Sequence, residues 1–245
     1  MKNIKLLISY DGTRYYGWQR QKEKPTIQGV IEEKLKVLTG EDVKLIGSGR
    51  TDAGVHALGQ VANFRTNCEL EPERLRRALN SLLPDDIYIK KAEYVPLDFH
   101  ARYSAKSKTY EYRILNREEP DIFKRRYLWH VIPPLDREKM QEALSLIVGT
   151  HDFSSFRSSG SSSVNPVRTV FRAELISDSD GLLRIVMEAN GFLRHMVRNI
   201  VGTVVQVGYG KISLERFKEI FEAKDRRLAG KKAPAQGLFL VEVKY

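Results

Sequence analysis

The chain has 245 residues, enough for one large domain or two small ones with a real core. Lys plus Arg number 41 against 31 Asp plus Glu, a net charge of +10 that favours polyanions such as nucleic acid. Cys68 is the single cysteine, which excludes an internal disulfide and a cysteine-based zinc cage. With no signal-length apolar core at the start and no run of about eighteen apolar residues, a cytoplasmic protein with no membrane partner is expected.

"IKLLISY" puts Ile4, Leu6, Ile8 and Tyr10 on one face of a strand. After the loop "DGTRYYGWQRQKEKP", the spacing of Ile27, Val30, Ile31, Leu35 and Leu38 predicts an amphipathic helix stopped by Gly40. "VKLIG" reads as a short strand and "GQVANFRT" as the next. "EPERLRRALNSLLP" is a helix with proline near its first turn, and "DDIYIKKAEYV" is a fourth strand. The order βαββαβ is that of a ferredoxin-like unit.

A similar order follows. "AKSKTYEYRIL" alternates as a strand, "LDREKMQEALSLIVG" is a helix capped by Asp136, and "VRTVFRAELISDSDGLLRIVMEAN" is a hairpin turning at Asp-Ser-Asp-Gly. "FLRHMVRNIVGTVVQV" and "SLERFKEIFEA" are helices, and "GLFLVEVKY" is a closing strand. The expectation is an α+β protein of two βαββαβ halves, residues 1–103 and 104–245, the second with an extra helix. If their sheets join edge to edge, a cleft lies between them. "RSSGSSSVNP", residues 157–166, is a low-complexity surface loop to which no role is assigned.

The stretch "GSGRTDAGVHA", residues 47–57, carries a carboxylate, Asp52, among glycines in a basic chain. A turn aspartate bonded to its own backbone would explain it. Three features argue for more: glycines that let a ligand approach the backbone, Arg50 two residues away to keep the carboxylate ionised, and a loop between strands to present it. Arg198 lies in an almost wholly apolar helix, where a buried cation needs a partner. Snorkelling to the surface or a structural carboxylate such as Glu188 would serve; the sharper expectation is Asp52. Tyr110, flanked by Lys106, Lys108 and Arg113, suits a base stacked on a ring with its phosphate held nearby. "TRYYGWQRQ" repeats that composition with Arg14, Tyr15, Tyr16, Trp18 and Arg20. Further basic clusters stand at residues 74–77, 124–126 and 226–232. His56 is either structural or RNA-contacting.

The five histidines lack metal-ligand spacing, so no metal is expected. A zinc deaminase signature, a phosphate-binding P-loop, a complete dinucleotide fingerprint and a G-x-S-x-G elbow are all missing from the sequence. A carboxylate is a competent nucleophile at a glycosidic carbon or an electron-poor pyrimidine, and its charge stabilises an oxocarbenium-like centre. Together with an aromatic platform for an unstacked base, it fits breaking or remaking a base–sugar bond.

These residues resemble the tRNA pseudouridine synthase A (TruA) family. "GRTDAGVHA" is similar to its catalytic motif. "YDGTRYYGWQRQ", "SKTYEYRI", "FLRHMVRNIVG" and "APAQGLFL" resemble further family blocks, in family order across nearly the whole chain. The resemblance implies two ferredoxin-like (RRM-like) halves sharing a central antiparallel sheet. It implies a cofactor-free homodimer that isomerises uridines 38, 39 and 40 in the anticodon stem-loop of tRNA. Asp52 would be the nucleophile, by attack at C1′, by addition at C6 or by a glycal route. Arg50 would replace or brace the flipped nucleotide. Tyr110 would stack on the target base, and Arg198 would hold Asp52 by a salt bridge. His56, Arg14 and Lys108 are candidate RNA contacts. A binding-only protein of two RRM-like units would show an RRM signature run, which the sequence lacks, and would leave Asp52 unexplained. A base-excising glycosylase would release free uracil.

Overall fold

The computed structural model describes residues 1–160, 165–178 and 180–245. Residues 161–164, in the low-complexity loop, and residue 179, in the expected hairpin turn, lie outside the described residues. The chain is mixed α+β and forms two compact units, Met1–Lys106 with Phe239–Tyr245, and Ser107–Leu238.

In the first unit the elements run β1 (Lys2–Tyr10), α1 (Ile27–Thr39), β2 (Ile46–Gly47), β3 (His56–Thr66), α2 (Pro72–Leu82) and β4 (Ile87–Val95). Alternation in β1 buries Ile4, Leu6, Ile8 and Tyr10, as the spacing predicts. β1 pairs antiparallel with both β3 and β4. Helix α1 starts where the Thr26 hydroxyl accepts the Gly29 N–H. It stops at Gly40, whose N–H still bonds the Lys36 carbonyl while its φ of 72° turns the chain out of the helix.

The expected strand "VKLIG" shrinks to two residues for a visible reason. The Leu45 N–H is taken by Glu32 Oε1 at 3.0 Å and its carbonyl by Gln28 Nε2 at 2.9 Å. Two buried side chains of α1 occupy the groups a strand would have offered to a neighbour.

The second unit contains β5 (Ser107–Asn116), β6 (Trp129–Val131), α3 (Arg137–Ser145), β7 (Gly149–Asp152), β8 (Val167–Ser177), β9 (Leu182–Ala189), α4 (Met196–Gly208) and α5 (Leu214–Glu222). Its strands lie in the order β5-β9-β8-β7, antiparallel throughout, with β6 parallel beside β5. Asp136 caps α3 by accepting the Lys139 N–H at 3.0 Å. That helix ends at Ser145, short of the expected Gly149. The remainder of its apolar run leads into β7, whose Gly149 pairs with Val170. A short apolar run does not separate helix from strand by period alone.

The closing strand β10 (Leu238–Lys244) departs from expectation. Almost all of it groups with the first unit, where Phe239 and Leu240 pair with His56 and Ala57 of β3. The pairing is parallel, not antiparallel. A connection as long as the whole second unit imposes no hairpin and leaves the strand's direction to side-chain burial.

Helix α4 is buried along nearly its full length. Its polar groups hold the segments that cross it. Arg198 Nε donates to the Ala233 carbonyl at 2.8 Å, and the Ala233 N–H returns a bond to the Arg198 carbonyl at 3.0 Å. Asn199 donates to the Phe156 carbonyl at 2.8 Å and accepts from Arg226 at 3.0 Å. The Thr203 hydroxyl accepts the Gly230 N–H at 3.0 Å.

Candidate active-site loop and RNA-facing residues

The loop from Gly47 to Val55 joins β2 to β3 in the first unit and is fastened on two sides. From the N-terminal segment, the Trp18 N–H donates to the Thr51 carbonyl at 3.0 Å, and the Gly54 N–H donates to the Tyr15 carbonyl at 3.3 Å. The loop closes on itself through the Val55 N–H and the Asp52 carbonyl, 3.1 Å apart. The approach needs two glycines. A Cβ on Gly12 would overlap the Val55 carbonyl, and one on Gly17 would sit 2.5 Å from the Thr51 carbonyl oxygen. Gly17 also has a φ of +87°, which a side chain rarely adopts.

From the sheet side, Tyr10 and Thr51 share a hydroxyl–hydroxyl bond of 2.8 Å, and Gln60 Nε2 donates to the Gly49 carbonyl at 2.9 Å. Ser48 Oγ donates to Gln60 Oε1 at 2.7 Å. Burial therefore alternates: Ser48 and Thr51 are buried, Arg50 is exposed and Asp52 is half-buried. The loop carries an exposed cation and a half-buried carboxylate on a backbone that is held beneath them.

His56, at the end of this loop, is 1% exposed and stacks on Phe239 with ring centroids 4.8 Å apart. Its Nδ1 lies 3.0 Å from the Gly12 nitrogen and 3.1 Å from Asp11 Oδ1. One nitrogen cannot accept from the first and donate to the second at once, and the direction of the Gly12 N–H favours acceptance. His56 is thus buried and bonded within the first unit.

The aromatic segment near the N-terminus is largely buried as well. Trp18 and Tyr15 are buried, Trp18 against Gly47, and the Tyr15 hydroxyl donates to Asp86 Oδ1 at 2.5 Å. Tyr16 is the exposed member, with Lys24 over its ring at 4.7 Å. Arg14 is exposed but paired, with Nε 2.8 Å from Asp86 Oδ2. The basic clusters are also partly neutralised. Arg76 and Arg77 both bond to Glu73 and hold its carboxyl well below the usual range, at about 2. Arg227 does the same to Asp225, and Lys124 pairs with Asp121.

In the second unit, Lys108 and Tyr110 lie two residues apart on β5, so they share a face. Lys108 is half-buried. Tyr110 is 7% exposed and meets Phe192 edge-on at 5.0 Å. Ser107 and Thr109 take the other face, where Ser107 Oγ donates to Glu188 Oε1 at 2.6 Å. Arg198 is 8% exposed in the first turn of α4. It lies close enough to Tyr112 for its charge to oppose the rise that burial imposes on that phenol. Arg198, Tyr112 and Tyr110 thus belong to one neighbourhood of this unit.

Sequence reasoning missed Tyr10, Gln60 and Asp86, which hold the loop and its flank. They stand in strands or turns with no motif of their own, and the alternation that buries Tyr10 marks it only as core. A cavity of about 420 Å³ in the first unit is lined by Glu41, Lys44, Asn63, Arg65, Asp98 and His100, among others, and by none of the predicted site residues. Among the described residues, no group of three or more His, Cys, Asp or Glu side chains is placed to hold a metal, and no helix is long and apolar enough to cross a membrane.

The comparisons with known proteins point the same way as the loop. Residues 6–104 and 143–245 match the family described as tRNA pseudouridine synthase. The tRNA pseudouridine synthase A of Acetivibrio thermocellus is 52% identical over 245 residues, covering all of both chains. Those of Thermoanaerobacter sp. and Caldicellulosiruptor saccharolyticus are each 50% identical over the full length of both. The chain belongs to the tRNA pseudouridine synthase family and is an isomerase that forms pseudouridine.

Proposed function

We propose that the chain isomerises uridine to pseudouridine in the anticodon stem-loop of tRNA, at positions 38 to 40, with Asp52 as the nucleophile. The observation that carries this reading is the Asp52 loop. It is a half-buried carboxylate on a backbone fastened through Thr51, Gly54 and Val55, in a chain with a net charge of +10. Asp52 assists cleavage of the N1–C1′ bond. The uracil turns and rejoins through C5, which loses a proton while N1 gains one. Atoms and electrons balance within the nucleotide, so the reaction calls for no redox partner.

Arg50, exposed on the same loop, takes the place of the flipped nucleotide or braces it. Tyr110 stacks on the target base. Arg198, whose Nε is held by the Ala233 carbonyl, steadies Asp52 by a salt bridge. Arg14 and Lys108 contact the RNA backbone. This reading includes two ferredoxin-like halves joined through a central sheet with the site in the cleft between them, a homodimer, and a cytoplasmic location.

The test is incubation with unmodified tRNA followed by pseudouridine mapping, with Asp52→Asn alongside. The expected outcome is conversion in the presence of EDTA, with near-complete loss in Asp52→Asn while tRNA binding is kept. Activity surviving in Asp52→Asn defeats the nucleophile assignment, and release of free uracil defeats isomerisation.

A further inference from the structure

A buried polar network lies directly beneath the residues that flank Arg50 and Asp52. Thr51, between the two, turns its hydroxyl down to the Tyr10 hydroxyl at 2.8 Å. Gly49, just before Arg50, gives its carbonyl to Gln60 Nε2 at 2.9 Å. The same Gln60 nitrogen reaches the Tyr10 hydroxyl at 3.5 Å. Gln60 Oε1 accepts from Ser48 Oγ at 2.7 Å and from the Val61 N–H at 3.2 Å. Tyr10, Thr51, Gln60 and Ser48 are all buried. They come from β1, the loop and β3, so the network ties the loop to two paired strands of the sheet.

The stability of the unit does not require this chemistry, since an apolar pair of the same shape would fill the space between Tyr10 and Thr51. What hydroxyls and an amide add is direction. They fix where the backbone on each side of Arg50 and Asp52 runs.

We infer that Tyr10 and Thr51 are positioning residues for isomerisation, setting the Asp52 carboxylate through the backbone of the loop while touching no substrate. The inference rests on the reading of Asp52 as nucleophile. Misplacement of a reacting group by about 1 Å costs on the order of a hundredfold in rate.

The test separates position from stability. Thr51→Val removes one hydroxyl and leaves the Tyr10 hydroxyl buried with only the long 3.5 Å bond from Gln60 Nε2, so it lowers both the melting temperature and kcat. Adding Tyr10→Phe removes both partners together, which leaves packing nearly neutral. The double variant is expected to regain most of the melting temperature, yet to keep a kcat about tenfold to a hundredfold below wild type. KM and tRNA affinity stay within about twofold. Thr51→Ser, which restores a hydroxyl, recovers most of the lost rate.

A double variant whose kcat recovers with its stability overturns the inference, as does a loss expressed only in KM. Asp52→Asn is measured in parallel to separate the two readings. If it is inactive while the double variant turns over like wild type, the positioning role alone fails. If it is active, the nucleophile reading fails and takes the positioning role with it.

Discussion

Gly17→Ala tests how tightly the N-terminal segment holds the Asp52 loop. The new Cβ meets the Thr51 carbonyl oxygen at 2.5 Å, against backbone that cannot swing aside as a side chain would, at a φ of +87°. Holding alanine at positive φ costs about 1–2 kcal/mol, and overpacking adds roughly 1–3 kcal/mol. The gain from a stiffer unfolded chain, about 0.4–1 kcal/mol, offsets part of this. The balance is a loss of roughly 2–4 kcal/mol, and at about 2–4 °C per kcal/mol the melting temperature falls by about 4–15 °C. Gly40→Ala is the control, because Gly40 has a φ of +72° with nothing within 4 Å of a new Cβ. It carries the backbone cost less the same offset, so its melting temperature falls by no more than about 6 °C and turnover is unchanged. Thermal unfolding followed by circular dichroism, with turnover on tRNA, compares the two. If Gly17→Ala melts with Gly40→Ala and turns over normally, the loop is not held at the distances described.

Two further outcomes follow from the electrostatics. Burial pushes the Tyr10 phenol up to about 12, against hydrogen bonds from Thr51 and Gln60 that pull it down. The folded value is raised, so the stability it confers is whole below pH 10 and is lost as pH climbs from 10 towards about 12. That loss is roughly 2–3 kcal/mol, and Tyr10→Phe should show a shallower alkaline decline in urea titrations between pH 9 and 11.5; an equal slope in the two proteins refutes the assignment. Affinity for tRNA should fall steeply with salt, by a slope of about 0.7–0.9 per phosphate contacted, and a flat response between 50 and 200 mM contradicts an RNA footprint built on exposed cations.

Much of the local architecture was legible because it is periodic or punctuated. β1 alternates, α1 ends on a glycine with positive φ, and Asp136 caps α3. The Asp52 loop stood out because glycines cluster around a single carboxylate. What escaped were bonds between side chains and distant backbone, which leave no period. Glu32 and Gln28 satisfy Leu45 and so shorten a strand, yet in sequence they are two polar positions on a helix. Tyr15 and Trp18 beside arginines look like a stacking platform until Gly47 and Asp86 bury them, and adjacency in sequence says nothing about which way a ring turns. The partner of β10 was equally hidden, since strand pairing over such separation is set by the folded unit and not by any local signal.

The fastening of the Asp52 loop also has a thermodynamic consequence for how substrate is met. Fixing a residue's backbone costs about 1–2 kcal/mol of conformational entropy, so a loop of this length represents on the order of 10 kcal/mol of ordering. Here that ordering is done when the first unit folds, by Trp18, Tyr15, Tyr10 and Gln60. An arriving RNA need not supply it. If RNA is met at this loop, as proposed, the entropy of binding should carry the RNA's own loss of freedom with little from this segment of the protein.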